Sequence, residues 1–339
     1  DYDNTPFHPC MADYIHRFDW LRDLAAALPN YGEGAPIASA ITQKWIAGNS
    51  NRIREPAWRI DNSMWRLVNM AASAPYILSS RDPIYRSKVI NHLARTARHL
   101  DQSTPRAAPG LPRLAGWIGI IAASLLLPEG EARRSVGENG IAKALAELVM
   151  PDGGIASRSP LQLMEMIRML VMLRQCYAAR QYHAPLLVEE HISRMTAALL
   201  GICHGNGDLG AWQGSGHLPA GHIRQLADIA DPRARAQNSG DDWGYQRVSA
   251  GDATLIFDAA PPPLARQLAA GCASSLAFEF SHGKENIILN CGGSAILNAE
   301  YPADLATGLR STAAHSTLCM GNSNSTAILP AGQLGRGVE

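Results

Sequence analysis

Apolar residues recur at steps of three and four over most of the first 230 positions. In MADYIHRFDWLRDLAAAL (11–28), one helical face carries Tyr14, Ile15, Phe18, Leu21, Leu24 and Ala25. PIYRSKVINHLARTARHL (83–100) has the same spacing, which is typical of an amphipathic helix. Similar patterns cover 141–149, 161–177, 186–202 and, more weakly, 220–229. Because proline and glycine clusters separate these stretches, the pattern predicts seven to ten helices joined by short loops.

The period changes near residue 240. YQRVSAGDATLIFDA (245–259) has β-branched and aromatic residues on both sides of a Gly-Asp turn. SSLAFEF (274–280) and NIILN (286–290) flank the polar SHGKE and predict a hairpin. Further short strand candidates are SAILN (294–298) and HSTLCM (315–320).

Helices followed by strands, without alternation, favour an α+β multidomain protein over a parallel α/β fold. We expect a helical domain over 1–240 and a β-domain over 245–339. The few strands predict a β-domain that is partial or truncated here. The longest apolar run, LAGWIGIIAASLLL (114–127), is short for a membrane span and predicts a buried helix.

Charge and cysteine content narrow the function classes. The 339 residues contain 30 basic and 30 acidic residues and no basic tail, so binding to nucleic acid is disfavoured. A local basic patch could still bind an acidic polymer. None of the six cysteines forms a CxxC pair, which argues against a zinc finger. The oligomeric state cannot be read from these features.

Four segments carry short motifs: MPDGGIASRSPLQL (150–163), CHGNGDLGAWQGSG (203–216), GCASSLAFEFSHGKENIILNCGG (271–293) and TAAHSTLCM (312–320). Their order, with the change from helices to strands between the second and third, resembles the heparinase II/III-like polysaccharide lyases. The resemblance is closest to a subgroup with altered catalytic motifs.

This resemblance implies an N-terminal incomplete α/α toroid followed by an antiparallel β-sandwich, with a substrate groove between them. It implies β-elimination on a uronic-acid-containing acidic polysaccharide. That reaction needs a group that neutralises the sugar carboxylate and groups that move the protons. The resemblance also favours a periplasmic or cell-envelope location, although this chain shows no signal peptide.

Several positions depart from the family pattern. Gln162 and Leu163 stand where catalytic members carry Tyr-His, and 270–274 replaces a His-x-His-x-Asp run. Asn290 replaces an aspartate, and no tyrosine lies between Tyr182 and Tyr245. Two alternatives to a lyase therefore stay open. One is a glycan-binding member without catalysis, and the other is a hydrolase on an α/α barrel that uses loop acids such as Asp152 and Asp208.

The candidate site residues fall into three groups. We expect catalysis to involve His204 or His315 in proton transfer, with Arg158, Asn206 or Gln213 facing the carboxylate. The substrate-binding candidates are Trp212, Gln162, Arg59 and Trp58. A metal site, for weakly held zinc or calcium if any, would use Cys272, Asn290 and His315.

Each candidate also has a structural interpretation. His315 could be a histidine bonded to a nearby loop, and Cys272 a small buried apolar residue. Arg158 could pair with Asp152, and the glycines around Trp212 could simply form turns. The arginines and tryptophans of 45–66 could be packed amphipathic helices or the wall of an anionic-glycan groove.

Overall fold

In the computed structural model, the described residues are 9–128, 131–216, 218–264, 266, 268, 271–293, 302–329 and 333–335. They form two compact units. Unit 1 comprises the described residues of Asp1–Ala144 and Gln175–His183, and unit 2 those of Leu145–Arg174 and Ala184–Glu339. The last helix before the sheet ends at Ala230 and the first strand begins at Tyr245, as the change of period indicates. The domain boundary near 240 stays a prediction.

Helices fill the described part of the chain before the sheet. They are α1 Pro9–Arg17, α2 Trp20–Ala27, α3 Tyr31–Asn49, α4 Ile60–Ala72, α5 Ala74–Ile77, α6 Pro83–Ser103, α7 Leu111–Leu126, α8 Glu131–Leu148, α9 Pro160–Ala179, α10 Leu186–Gly201 and α11 Ala220–Ala230. A short α12, Ala303–Gly308, follows the sheet. The helical stretches that the periodicity predicts are all found, but the number of helices is higher than predicted.

The single helix predicted over 11–28 is wrong, because the structure divides this segment into α1 and α2. Phe18 adopts a φ of 64°, in the left-handed region, and separates α1 from α2. The Asp19 side chain then accepts a hydrogen bond from Asn69 Nδ2 at 2.9 Å. Phe18 is fully buried, so the break keeps its ring in the core of unit 1 while the chain changes direction.

The apolar run at 114–127 lies in α7, whose residues are mostly buried within unit 1. A Cβ atom at Gly119 would lie 2.8 Å from Leu100 Cδ1 and 3.2 Å from Met64 Cβ. The glycine therefore allows α4 and α6 to approach α7 closely. Among the described helices, none has the length and apolar character that crossing a bilayer requires.

Four antiparallel strands form one sheet in the order β1 Tyr245–Ala250, β2 Ala253–Asp258, β3 Phe278–His282 and β4 Glu285–Ile288. The hairpins predicted over 245–259 and 274–290 are thus confirmed, with shorter strands. Gly251 and Gly283 occupy the two tight turns with φ near 60°, which glycine adopts without strain.

The strand predicted over 315–320 is wrong. A 3-10 helix, Thr312–Ala314, precedes an irregular segment there. Side chains bond to the backbone in this region: His315 Nδ1 lies 2.8 Å from Ser311 O within the segment, and Thr312 Oγ1 donates to Ala273 O of a distant segment. The strand candidate at 294–298 lies outside the described residues.

Candidate functional site

The buried face of the sheet in unit 2 is unusually polar. Asp258 on β2 and Glu279 and Ser281 on β3 are all fully buried. Because a buried charge or hydroxyl is costly without a hydrogen bond, partners must come from the segments packed on this face. Those segments are the two glycine-rich loops at 150–159 and 203–216.

Arg158 is the partner of Asp258. Its Nη2 donates to Asp258 Oδ1 at 2.6 Å, with both side chains almost wholly buried. Its other nitrogens donate to the carbonyls of Trp243, Ala260 and Pro261. Burial raises the pKa of Asp258, and the Arg158 guanidinium opposes that rise. The guanidinium is therefore directed into unit 2 rather than toward a bound uronate.

The alternative pairing of Arg158 with Asp152 is not made. Asp152 instead accepts backbone hydrogen bonds from Gly154 at 2.9 Å and from Trp243 at 2.6 Å. Its carboxylate thus fixes the turn that leads into β1. A carboxylate used in this way does not support a hydrolytic acid or base role.

His204 and Glu279 form the centre of a second buried network. His204 Nε2 lies 2.7 Å from Glu279 Oε2, and neither side chain is exposed. Glu279 Oε1 accepts from the backbone N–H of Ala211 and from both the backbone and the side-chain nitrogens of Asn290. Asn290 Oδ1 in turn accepts from Ser316 N at 2.8 Å. One carboxylate therefore joins the second, third and fourth motif segments.

The loop at 203–216 is shaped to fit this carboxylate. A Cβ atom at Gly210 would lie 2.5 Å from Trp212 Nε1 and 2.7 Å from Glu279 Oε2, so only glycine fits. Gln213 has a φ of 40° and is buried. Its amide donates to Ser274 Oγ at 3.0 Å and accepts from Cys272 N at 2.9 Å. Trp212 is fully buried, which does not support sugar stacking on its ring.

Asn206 and Asp208 hold the tip of the same loop. Asn206 Nδ2 donates to Asp208 Oδ2 at 2.7 Å and to Lys284 O at 3.2 Å. Asp208 Oδ1 accepts from Ala220 N at 2.7 Å, at the start of α11. Asn206 is half-buried, so part of its side chain is accessible.

His315 differs from the other candidates. Its Nδ1 bonds to Ser311 O, which fixes the neutral tautomer with a lone pair on Nε2. The Nε2 atom is buried and has no hydrogen-bond partner among the described residues. Burial lowers the pKa of His315, so the ring is neutral near pH 7. Among the candidate catalytic residues, His315 therefore has a ring nitrogen that could accept a proton.

The remaining candidates lie elsewhere. Gln162 is half-buried in the first turn of α9. In unit 1, Arg59 donates to the carboxylates of Asp13 and Asp61, and Trp58 is buried. Trp58 Nε1 donates to Asn49 O at 2.7 Å. These contacts agree with the interpretation of packed amphipathic helices for Trp58.

Comparison with known proteins bears on this arrangement. A family model described as Heparinase II/III-like, C-terminal, matches residues 232–339. The crystal structure of heparinase III matches with a TM-score of 0.76 and 15% identity, over 95% of this chain and 57% of that chain. The heparan sulfate lyase HepC from Pedobacter heparinus matches with a TM-score of 0.61 and 16% identity, over 89% of this chain and 52% of that chain.

The resemblance to the heparinase II/III-like family is confirmed. The fold class, an incomplete helical toroid followed by an antiparallel β-domain, is confirmed with it. Among curated proteins, FtsZ-localized protein C of Caulobacter vibrioides is 28% identical over 284 residues, which are 83% of this chain. The chain spans about half the length of these relatives, 48% in the case of that protein.

A metal fits the heparinase-like site poorly. The Cys272 Sγ atom is buried and lies 3.5 Å from Gly292 O, to which it donates. The Asn290 amide is already used on both its oxygen and its nitrogen. Among the residues with described side chains, no group of three or more His, Cys, Asp or Glu is placed to hold a metal ion.

Sequence reasoning missed Asp258 and Glu279, on which both networks of the heparinase-like β-domain depend. A signal was present. Both acids occupy inward positions of alternating strands, IFD and FEF, where an apolar residue is the default. A carboxylate at such a position requires a buried partner, and Arg158 and His204 lie in the glycine-rich loops that supply it.

Proposed function

We propose that this protein binds an acidic polysaccharide through a heparinase II/III-like fold and does not cleave it. The observation that carries this proposal is the burial of three of the five residues nominated for catalysis. Arg158, His204 and Gln213 are each bonded inside unit 2 and buried. β-Elimination needs a carboxylate neutraliser and proton-transfer groups that reach the sugar.

His315 alone would not make a lyase. Its free Nε2 could accept a proton, but the leaving oxygen needs a proton donor as well. Tyr245, the first tyrosine after the glycine-rich loop at 203–216, is buried and donates its hydroxyl to Arg158 O at 3.0 Å. Burial also raises the pKa of Tyr245 well above its ordinary value, which opposes a role as base.

The test uses the full-length protein and a panel of uronate polymers. Binding is followed by isothermal titration calorimetry, and cleavage by the ultraviolet absorbance of the unsaturated uronate that β-elimination creates. We expect binding to at least one polymer with no rise in absorbance. A steady rise that depends on enzyme concentration would establish a lyase instead. Absence of binding to every polymer would refute the proposal.

The curated relative favours a second candidate function, a role at the cell-division site. The likeness to FtsZ-localized protein C covers 83% of this chain. We infer that the full-length protein localises with FtsZ, which is compatible with binding a polysaccharide. A fluorescently tagged protein in dividing cells of the source organism is expected at the FtsZ ring. An even distribution at all stages of the cell cycle would refute this candidate.

A further inference from the structure

Unit 1 contains a cavity of about 460 Å³ that is lined by α3, α6 and the residues after α3. This volume lies in the range of small-molecule sites, roughly 300–1,000 Å³. Its polar lining includes Gln43, Asn51, Lys88, Asn91, His92 and Arg95. We call this cavity the α3–α6 pocket. None of the candidates from the motif segments lines it.

The lining carries positive charge and amides. Lys88, Asn91 and Arg95 recur at steps of three and four on α6, so they share one helical face. The amides of Gln43 and Asn51 are also part of the lining. Among the described residues that line the pocket, the charged ones are cations and none is acidic.

A buried arginine adds to this positive field. Arg66 is fully buried and donates to the carbonyls of His16 and Ala57 and to Ser63 Oγ, none of which is a carboxylate. It stacks on the rings of Trp45 and Trp58 at 4.6 and 5.2 Å. Burial lowers its pKa to about 9, so it is still charged at neutral pH.

His92 connects Arg66 to the pocket without cancelling its charge. Its ring lies edge-on to Trp45 and Trp58 at 5.2 and 5.6 Å, and its Nδ1 bonds to Ser50 Oγ at 3.0 Å. Burial lowers the pKa of His92 well below its ordinary value, and the charges of Arg66 and Arg95 lower it further. The surroundings therefore disfavour another cation and favour an anion.

We propose that the α3–α6 pocket binds a uronate unit of an acidic saccharide, with Lys88 and Arg95 on its carboxylate. This inference rests on the proposed function and names the place of binding. The planar guanidinium of Arg95 matches a carboxylate with two parallel hydrogen bonds. It lies 5.4 Å from the Trp58 ring, which limits its orientations. Gln43, Asn51 and Asn91 supply donors and acceptors for sugar hydroxyls.

The experiment compares two double variants of the full-length protein. Lys88→Gln/Arg95→Gln removes the pocket cations. Arg86→Gln/Arg98→Gln removes the same charge from exposed positions on α6 that do not line the pocket. The dissociation constant for an oligogalacturonate is measured by titration calorimetry, with a neutral oligosaccharide of equal length as ligand control.

We expect the pocket variant to weaken oligogalacturonate binding roughly tenfold or more, as the loss of charge-assisted hydrogen bonds requires. The Arg86/Arg98 control should bind within about twofold of the parent, because exposed charges off the site contribute little. Replacing Arg95 also removes its contact with the Trp58 ring, so a second variant, Asn91→Glu, tests the pocket with that contact kept. It places a repelling carboxylate at an exposed position and should also weaken binding.

The outcomes separate this inference from the proposed function. If the parent protein binds no uronate saccharide, the proposed function fails. If the parent binds and the pocket variants bind equally well, the pocket inference is overturned while the proposed function survives. Equal losses in the pocket and control variants would indicate non-specific attraction and would also overturn the pocket inference.

Discussion

Removing the Glu279 carboxylate should destabilise unit 2 strongly. In Glu279→Ala, the His204 imidazole and the N–H groups of Ala211 and Asn290 lose their acceptor in a site with no exposure. Each buried donor left without an acceptor costs about 1–3 kcal/mol, so the loss of several acceptors at once should cost about 3 kcal/mol or more. Glu279→Gln keeps an oxygen for Ala211 and Asn290 but turns an N–H toward His204. Loss of that one strong bond should cost about 1.5–3 kcal/mol.

Hydrogen–deuterium exchange of the full-length protein can localise this effect. Amides of the loop at 203–216 should exchange faster in Glu279→Gln and faster still in Glu279→Ala, while α7 in unit 1 provides an internal reference. Glu285→Gln is the matched control, since Glu285 is exposed on the neighbouring strand β4. If Glu279→Gln and Glu285→Gln protect this loop equally, the network does not hold the loop and the reasoning fails.

Three further predictions concern other features. In urea titrations, Gly210→Ala should lower the free energy of unfolding by about 1–3 kcal/mol, because the added methyl group overpacks against Glu279. Gly221 lies on α11 with open space around it, so Gly221→Ala should leave the free energy of unfolding unchanged or raise it. Burial, assisted by the Arg66 charge, lowers the pKa of His16 to about 4, so the unfolded chain takes up a proton at higher pH than the folded one. His16 should therefore lower the free energy of unfolding as pH falls from about 6.5 toward 4, by at most about 1.4 kcal/mol per pH unit for this one group. The variant His16→Gln should make the pH dependence shallower by that contribution, and an unchanged slope would contradict the prediction. Elemental analysis of protein purified in metal-free buffer should find substoichiometric zinc and calcium, and a full equivalent of zinc that His315→Ala removes would contradict the poor fit of the metal site.

The sequence predicts the elements better than it predicts what the motif side chains do. Periodicity identifies the helices because burial of one face repeats every three or four residues, as in α6. It does not identify the break at Phe18, because a single left-handed residue leaves the apolar spacing intact. It predicts a strand after Thr312 that is not formed, because the Thr312 hydroxyl bonds to Ala273 O of a distant segment and the His315 imidazole to Ser311 O, and neither bond leaves a periodic pattern in the sequence.

Side-chain roles depend on contacts between distant segments, and a single sequence does not provide these. Arg158 has two nearby explanations in the sequence, Asp152 or a ligand, yet its partner Asp258 lies a hundred positions later. In the sequence, Arg66 is one of several arginines that alternate with tryptophans, a pattern that predicts exposed arginines, yet its side chain is fully buried. Only the packing of α1, α3 and α4 around it decides this.

The motif segments of this chain are better explained by folding than by catalysis. Asp152 of the first holds the turn before β1, and the glycines of the second allow the approach to Glu279 in the third. Asn290 then connects Glu279 to the backbone of the fourth. Several positions that the resemblance suggests for catalysis therefore take part in the polar contacts that assemble the β-domain. In this chain, a match to the motif order is accordingly evidence for the fold, and activity has to be argued from the polar atoms that lack a hydrogen-bond partner among the described residues.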